Sequence, residues 1–207
     1  MLSFPTVSSP TLCLASASPR RRMLLESIGV KVVVQSCDID ETPASGELPT
    51  GYVTRLARAK ADAARHVDLP TLGSDTAIVL DGEILGKPRD AAHAAVMLRA
   101  LSGRTHEVLT GVAVHGSRGD FYACVTTQVE MRDLSDREIA AYWGTGEPEG
   151  KAGGYAIQGL AAVFIKRIVG SYSAVVGLPL YETAELLRQH DVPLWSGIWT
   201  PDLLDDT

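Results

Sequence analysis

The sequence predicts an α/β protein built on a mixed, twisted β-sheet flanked by helices. Three observations carry that expectation. Helical and strand-forming stretches alternate without a repeated parallel unit, the strand stretches are rich in β-branched residues, and two connections read as hairpins, which bring antiparallel pairs into the sheet.

In chain order, "TLCLASA" alternates like a strand and runs straight into a helix. Ser18 suits its N-cap and Pro19 its first position; Met23, Leu24, Leu25 and Ile28 form the apolar side, and Gly29 closes it. "VKVVVQSC" is a second strand, and "PTGYVTRLARAKADAARHV" a longer helix with Val53, Leu56, Ala57, Lys60 and Ala64 along one side. "TLGSDTAIVLDGEILGKP" gives a strand, an Asp-Gly turn and a short returning strand. "DAAHAAVMLRALSG" is helical and stops at Gly103. Two longer β segments flank "GSRGD", and "SDREIAAYWG" opens a helix with a capping-box pattern, Ser135 to Glu138. A Gly-rich turn at "KAGGY", a β-rich "AAVFIKRIVG" and a helix in "YETAELLRQH" complete the chain, so the polar specialities are expected in loops.

The 207 residues can bury a good core, as one domain or as two lobes sharing a cleft. Residues 1–10 read as a flexible arm, 11–195 as a single domain and 196–207 as a short tail with an acidic end. A net charge of −6 and 6% aromatic residues argue against a protein that coats nucleic acid. Cys13, Cys37 and Cys124 are far apart and odd in number, which points to neither a disulfide framework nor a sulfur-ligated zinc site. No stretch reaches the roughly 18–20 apolar residues that span a bilayer, and no basic flank precedes the N-terminal apolar residues. The expectation is a cytoplasmic protein with no membrane partner. Trp195 and Trp199 near the C-terminus read as cover for the core rather than as a subunit contact.

Several polar residues stand where the fold alone does not want them. Arg20, Arg21 and Arg22 occupy a helix N-terminus, where positive charge opposes the macrodipole. A phosphate held by guanidinium groups and free backbone N–H groups would explain them; a solvated corner with arginines folded back onto carboxylates is the alternative. Successive helical positions point about 100° apart, so at least one of the three is structural. Asp75 sits at the mouth of an apolar strand, where a carboxylate is costly unless paired, metal-bound or working as a base. Thr76 follows on the opposite face of a regular strand. Lys87 closes the hairpin that begins near Asp75, and Lys60 either snorkels from an apolar helix face or reaches into a cleft. Asp38, Asp40 and Glu41 follow a strand; they suit Mg²⁺ or Mn²⁺, or equally a solvated acidic loop. His66, His93, His106, His115 and His190 form no ligand motif, and His93 and His106 read as surface or hydrogen-bonded residues. In "GGYAIQG" the glycines let a backbone approach a base, and the Gln158 amide offers it both a donor and an acceptor. Together these residues describe a phosphate-rich, base-bearing small molecule.

The stretches "LASASPRRRMLL", "RLARAKA", "GSDTAIVLDGEILGKPRD", "LSGRTHEVLTGVAV" and "KAGGYAIQGLAAVFIKRIVGSYSAVVGLPLYET" resemble, in this order, the Maf family of nucleoside triphosphate pyrophosphatases, over about residues 11–190. The resemblance implies a Maf/ITPase-like fold with two lobes around a nucleotide cleft, and a single catalytic domain. The form "YAIQG" with "GSYSAVVGLPL" is similar to the branch acting on dTTP and UTP. By that likeness Asp75 is the proton acceptor, Arg20, Thr76 and Gln158 govern the choice of base, and Arg21, Glu41, Lys60 and Lys87 are the other polar pocket residues. This chain has "GSDT" where many members have "GADT", and "GLAAVF" where they are commonly richer in glycine.

The implied reaction converts a nucleoside triphosphate and water to monophosphate and pyrophosphate. Asp75 activates the water, Mg²⁺ or Mn²⁺ is held by Glu41 and Asp75 with the phosphates, and Arg21, Lys60 and Lys87 hold phosphoryl oxygens. A homodimer is implied by the resemblance alone. The rival readings are a pyrophosphatase that removes modified or non-canonical nucleotides, and a nucleotide-binding regulator linked to cell division.

Overall fold

The computed structural model describes residues 9–195, so the expected arm up to residue 8, the tail 196–207 and Trp199 lie outside the described residues. The elements are β1 (Leu12–Leu14), α1 (Pro19–Ser27), β2 (Val32–Val34), α2 (Pro49–Ala63), β3 (Thr71–Leu80), β4 (Glu83–Leu85) and α3 (Ala91–Leu101). They continue with β5 (Thr105–Gly116), β6 (Gly119–Met131), α4 (Asp136–Trp143), β7 (Ile165–Val169), α5 (Tyr172–Val176) and α6 (Leu180–Gln189). Short 3₁₀ turns lie at Ala152–Gly154 and Leu160–Phe164.

The sheet has seven strands in the order β2-β1-β3-β5-β6-β7, with β4 also paired to β3. The β2-β1-β3 part is parallel and the rest antiparallel, as expected of a mixed sheet. Asp81 and Gly82 take φ of 52° and 85° in the β3–β4 turn, the left-handed pair that a two-residue hairpin demands. The long strands carry two apolar clusters, one towards each end. Ile78, Leu80 and Val108 pack with α3 and α4, whereas Leu72, Val112 and Val114 pack with α1 and α6. The opposite face is covered by α2. Gly73 and Gly111 make that contact close, because a Cβ on them would stand 2.1 Å from Ala57 O and 2.4 Å from Val53 O.

Local signals set most boundaries. Ser18 accepts the Arg21 N–H, Pro19 starts α1, and Gly29 takes φ 75° just after its end. Ser135 and Glu138 form the complete capping box of α4. Some expectations are corrected. Leu12, Cys13 and Leu14 are all buried, not alternating, because α1 and α6 cover the face of Leu12 and Leu14 while Cys13 packs against the end of α2 on the other. Met23 is 66% exposed and leaves the apolar side of α1 to Leu24, Leu25 and Ile28. The first half of "AAVFIKRIVG" is a 3₁₀ turn, and α5, capped by Ser171, went unread because it is only five residues long. Trp195 is 54% exposed, so it does not cover the core. The three cysteines are free thiols, and no helix among the described residues is long and apolar enough to cross a membrane.

Candidate active site

β3 is paired to β5 from Thr71 to Val79, but its other edge changes neighbour midway. β1 reaches Thr71 and Leu72, and β4 takes over at Ile78. Between them the strand edge faces a cleft of about 430 Å³, walled by the segment after β1, the segment after β4 and the loop before the second 3₁₀ turn. This gap lets side chains from both faces of one strand line one site. Asp75 emerges beneath α2, and Thr76 on the other face, where its Oγ1 lies 3.0 Å from Thr110 Oγ1. Asp75 therefore stands in the middle of β3 rather than at its mouth, and Lys60, Asp75 and Thr76 all sit on regular elements rather than in loops.

The close packing of α2 on Gly73 and Gly111 delivers Lys60, one turn beyond Ala57, directly over Asp75. Lys60 Nζ donates to Asp75 Oδ1 at 2.7 Å and pairs with Glu41 Oε1 at 2.7 Å. The Lys60 hydrogen bond holds the Glu41 carboxyl below its ordinary range, against the effect of burial. Tyr52 Oη donates to Glu41 O at 2.9 Å and fixes the loop that carries it. Asp38 and Asp40 stay on the exposed side, where Asp40 Oδ1 accepts the Thr42 N–H.

The three arginines divide their tasks. Arg22 turns outward to Glu26 at 2.7 Å and is the structural member. Arg21 donates through Nε to Gly177 O at 2.9 Å and through Nη1 to Ser16 Oγ at 3.1 Å, which ties α1 to the end of α5 beside the cleft. Burial presses its guanidinium pKa downward, opposed by the nearby Asp75 charge, and burial lowers that of Arg20 as well. Ser74, the departure from "GADT", places its Oγ 2.9 Å from Gly111 O and 3.1 Å from Gly177 O, so the same carbonyl is shared by Arg21 and Ser74.

Arg20, Arg21, Glu41, Lys60, Asp75, Thr76, Lys87 and Gln158 all line the cleft. Sequence reasoning missed Tyr52, Lys151 and Tyr155 there. Lys151 stood inside the "KAGGY" stretch, but a loop lysine carries no pattern of its own. Its Nζ donates to Glu149 O at 3.3 Å. The lining thus sets five cations, Arg20, Arg21, Lys60, Lys87 and Lys151, against Glu41 and Asp75, in a chain whose net charge is −6. Gln158 is exposed on the wall.

Glu41 and Asp75 are the two carboxylates of the cleft lining, and with Lys60 Nζ 2.7 Å from each they offer an acidic pair of the kind that Mg²⁺ or Mn²⁺ takes alongside substrate phosphates and water. A second group, Asp62, His115 and Asp120, brings its ligand atoms within 4.8 Å of one another outside the cleft. It was not legible because its members lie on α2, β5 and the start of β6. Arg65 Nη2 already bridges it, 3.1 Å from Asp62 and 3.2 Å from Asp120.

A cation-lined cleft at a break in a mixed sheet, with a carboxylate set mid-strand at its floor, defines a class: an α/β protein that binds a polyphosphate-bearing small molecule. The family model described as Maf-like protein matches residues 11–190, and the chain belongs to the Maf family. It is 50% identical over 197 residues to the dTTP/UTP pyrophosphatase of Saccharophagus degradans, covering 92% of this chain and 94% of that protein. It is likewise 50% identical over 192 residues to the protein of the same name from Methylobacillus flagellatus, covering 91% and 96%. The dTTP/UTP pyrophosphatase of Hahella chejuensis is 47% identical over 190 residues, covering 89% and 94%.

Proposed function

We propose that the protein is a nucleoside triphosphate pyrophosphatase that hydrolyses dTTP and UTP at the α–β phosphoanhydride bond, giving dTMP or UMP and pyrophosphate. The observation that carries this reading is the concentration of five cations around Asp75 and Glu41 in an otherwise acidic chain. A cleft of that charge recruits a polyphosphate and offsets the negative charge that builds on its leaving oxygens. The names of the relatives supply the pyrimidine nucleotides.

In this reading Asp75 is the proton acceptor. Lys60 pins Oδ1, which leaves Oδ2 to take a proton from a water aimed at the α-phosphorus. The water oxygen bonds to phosphorus, the bond to the bridging oxygen breaks, and pyrophosphate leaves. Arg21, Lys60 and Lys87 hold phosphoryl oxygens, with the N-terminus of α1 adding its field. Glu41 and Asp75 would hold Mg²⁺ or Mn²⁺, which when bound neutralises part of the polyphosphate charge. Arg20, Thr76 and Gln158 choose the base, and the Gln158 amide can match the paired donor and acceptor of a pyrimidine edge. A single catalytic domain over residues 11–195, a cytoplasmic location and a homodimer belong to the same family reading.

The test is to incubate metal-free protein with each nucleoside triphosphate, with and without Mg²⁺ or Mn²⁺, and to measure pyrophosphate and monophosphate. Metal-dependent equimolar release concentrated on dTTP and UTP supports the reading. Turnover concentrated on modified nucleotides would reassign the substrate, and inorganic phosphate with a diphosphate product would overturn the bond assignment.

A further inference from the structure

Gln158 reaches the cleft from a segment with no strand partner, and a side chain that discriminates bases needs a fixed backbone. The fixing comes from two residues outside the cleft lining. Glu147 Oε2 accepts the Leu160 N–H at 2.9 Å, and its Oε1 accepts the Ala161 N–H at 3.1 Å and the Tyr142 hydroxyl at 2.8 Å. The Tyr142 oxygen in turn accepts the buried Ala156 N–H at 3.2 Å. One carboxylate and one phenol thus grip the chain two residues before Gln158 and two and three residues after it. Burial acts to raise the Glu147 carboxyl, but the Leu160 N–H, the Tyr142 hydroxyl and the Ala161 N–H outweigh it and hold it below its ordinary range. Gly159 allows the approach, since a Cβ there would stand 2.1 Å from Glu147 Oε2.

We infer that Glu147, acting with Tyr142, is a positioning residue for base selection: it clamps the Ala156–Ala161 segment so that Gln158 is presented to the pyrimidine. The inference rests on the proposed nucleotide reading of the cleft. Neither residue lines the cleft, so the clamp reaches the base through the backbone that carries Gln158; the Glu147 charge also acts on Lys151 in the cleft wall. A carboxylate is needed because three donors converge on it. A glutamine in its place would turn an NH₂ towards at least one of them and leave that donor unmatched.

The test compares wild type with Glu147→Gln, Gly159→Ala, Gln158→Ala and the Glu147→Gln/Gln158→Ala double variant. Gly159→Ala displaces the carboxylate sterically without altering it. Amide hydrogen exchange is read at Ala156, Leu160 and Ala161, with β3 amides as the control for an intact fold. Steady-state KM and kcat are read for UTP, dTTP and a purine triphosphate. The expected result is faster exchange confined to that segment in both clamp variants, a KM for UTP raised by about tenfold with kcat changed far less, and a narrower gap between pyrimidine and purine. Glu147→Gln should add little once Gln158 is gone, the signature of action through Gln158. Unchanged exchange at the three amides, or additive losses in the double variant, overturns the clamp. Wild-type protein that releases no pyrophosphate overturns the functional reading instead, and the exchange data then decide the clamp by themselves.

Discussion

Lys60 and Asp75 are joined by a 2.7 Å ion pair that spans from the last turn of α2 to the middle of β3, with both side chains only 12% exposed. A carboxylate so placed does no packing work that an amide could not do. Asp75→Asn keeps the shape and an oxygen for Lys60 but removes the proton acceptor. The expected outcome is a kcat lower by about 10²–10⁴-fold, with nucleotide still bound. Pyrophosphate release together with calorimetric titration of UTP separates the two quantities; comparable turnover in the variant would remove Asp75 from the chemistry.

Lys60 also pairs with Glu41, so Lys60→Met leaves two carboxylates facing one cleft without their shared ammonium. The Lys60 hydrogen bond is the main cause that keeps the Glu41 carboxyl low, and its loss returns Glu41 towards the ordinary range. A raised Glu41 pKa means that its protonation on acidification starts at higher pH. The acid limb of kcat/KM is therefore expected to move upward in the variant, read from the pH profile with UTP.

The arginine run offers a contrast within three consecutive positions. Arg22→Ala removes an exposed i,i+4 pair, expected to change stability by no more than about 0.5 kcal/mol and KM hardly at all. Arg20→Ala should raise KM for dTTP and UTP with stability retained, because Arg20 lines the cleft. Arg21→Ala should lower both activity and stability, since Arg21 also holds Gly177 O and Ser16 Oγ. Urea midpoints and steady-state kinetics on the three variants give the ranking; equal KM effects at Arg20 and Arg22 would refute it.

Most of the fold was legible because local chemistry and tertiary packing agree. Ser18-Pro19, Asp81-Gly82 and Ser135 with Glu138 each announce a boundary that the structure keeps. The readings fail where neighbours override local pattern. The burial of all of β1 depends on helices packed against both of its faces, which its three residues do not encode. The cleft residues were found as oddities, but their meeting depends on the point where β1 gives way to β4 along β3. That is a property of pairing register, which is why Asp75 and Thr76 could be read as facing opposite sides without revealing that both open into one space. The small residues that set α2 so close carry no local pattern: Gly73 and Gly111 tell of a helix carbonyl only once α2 is in place.

His106 supplies the last prediction, and it concerns stability rather than turnover. It is 2% exposed, its Nε2 lies 2.7 Å from the Tyr155 hydroxyl at the cleft wall, and its Nδ1 has no hydrogen-bond partner among the described residues. Burial pushes its pKa down to about 4 from an ordinary 6.5. Below pH 6.5 the unfolded chain therefore binds a proton that the folded one refuses, and stability falls as pH drops from 6.5 towards 4. The loss amounts to at most about 3 kcal/mol for this one group. His190 shifts in the same direction through burial and shares the window, so wild type alone cannot assign the effect. Urea midpoints at about pH 7.5 and about pH 5 are to be compared between wild type and His106→Gln, which keeps a polar group for Tyr155 but does not titrate. The variant is expected to start less stable at the higher pH and to lose clearly less on acidification. Parallel losses in the two proteins would place the acid sensitivity at His190 or at the carboxylates instead.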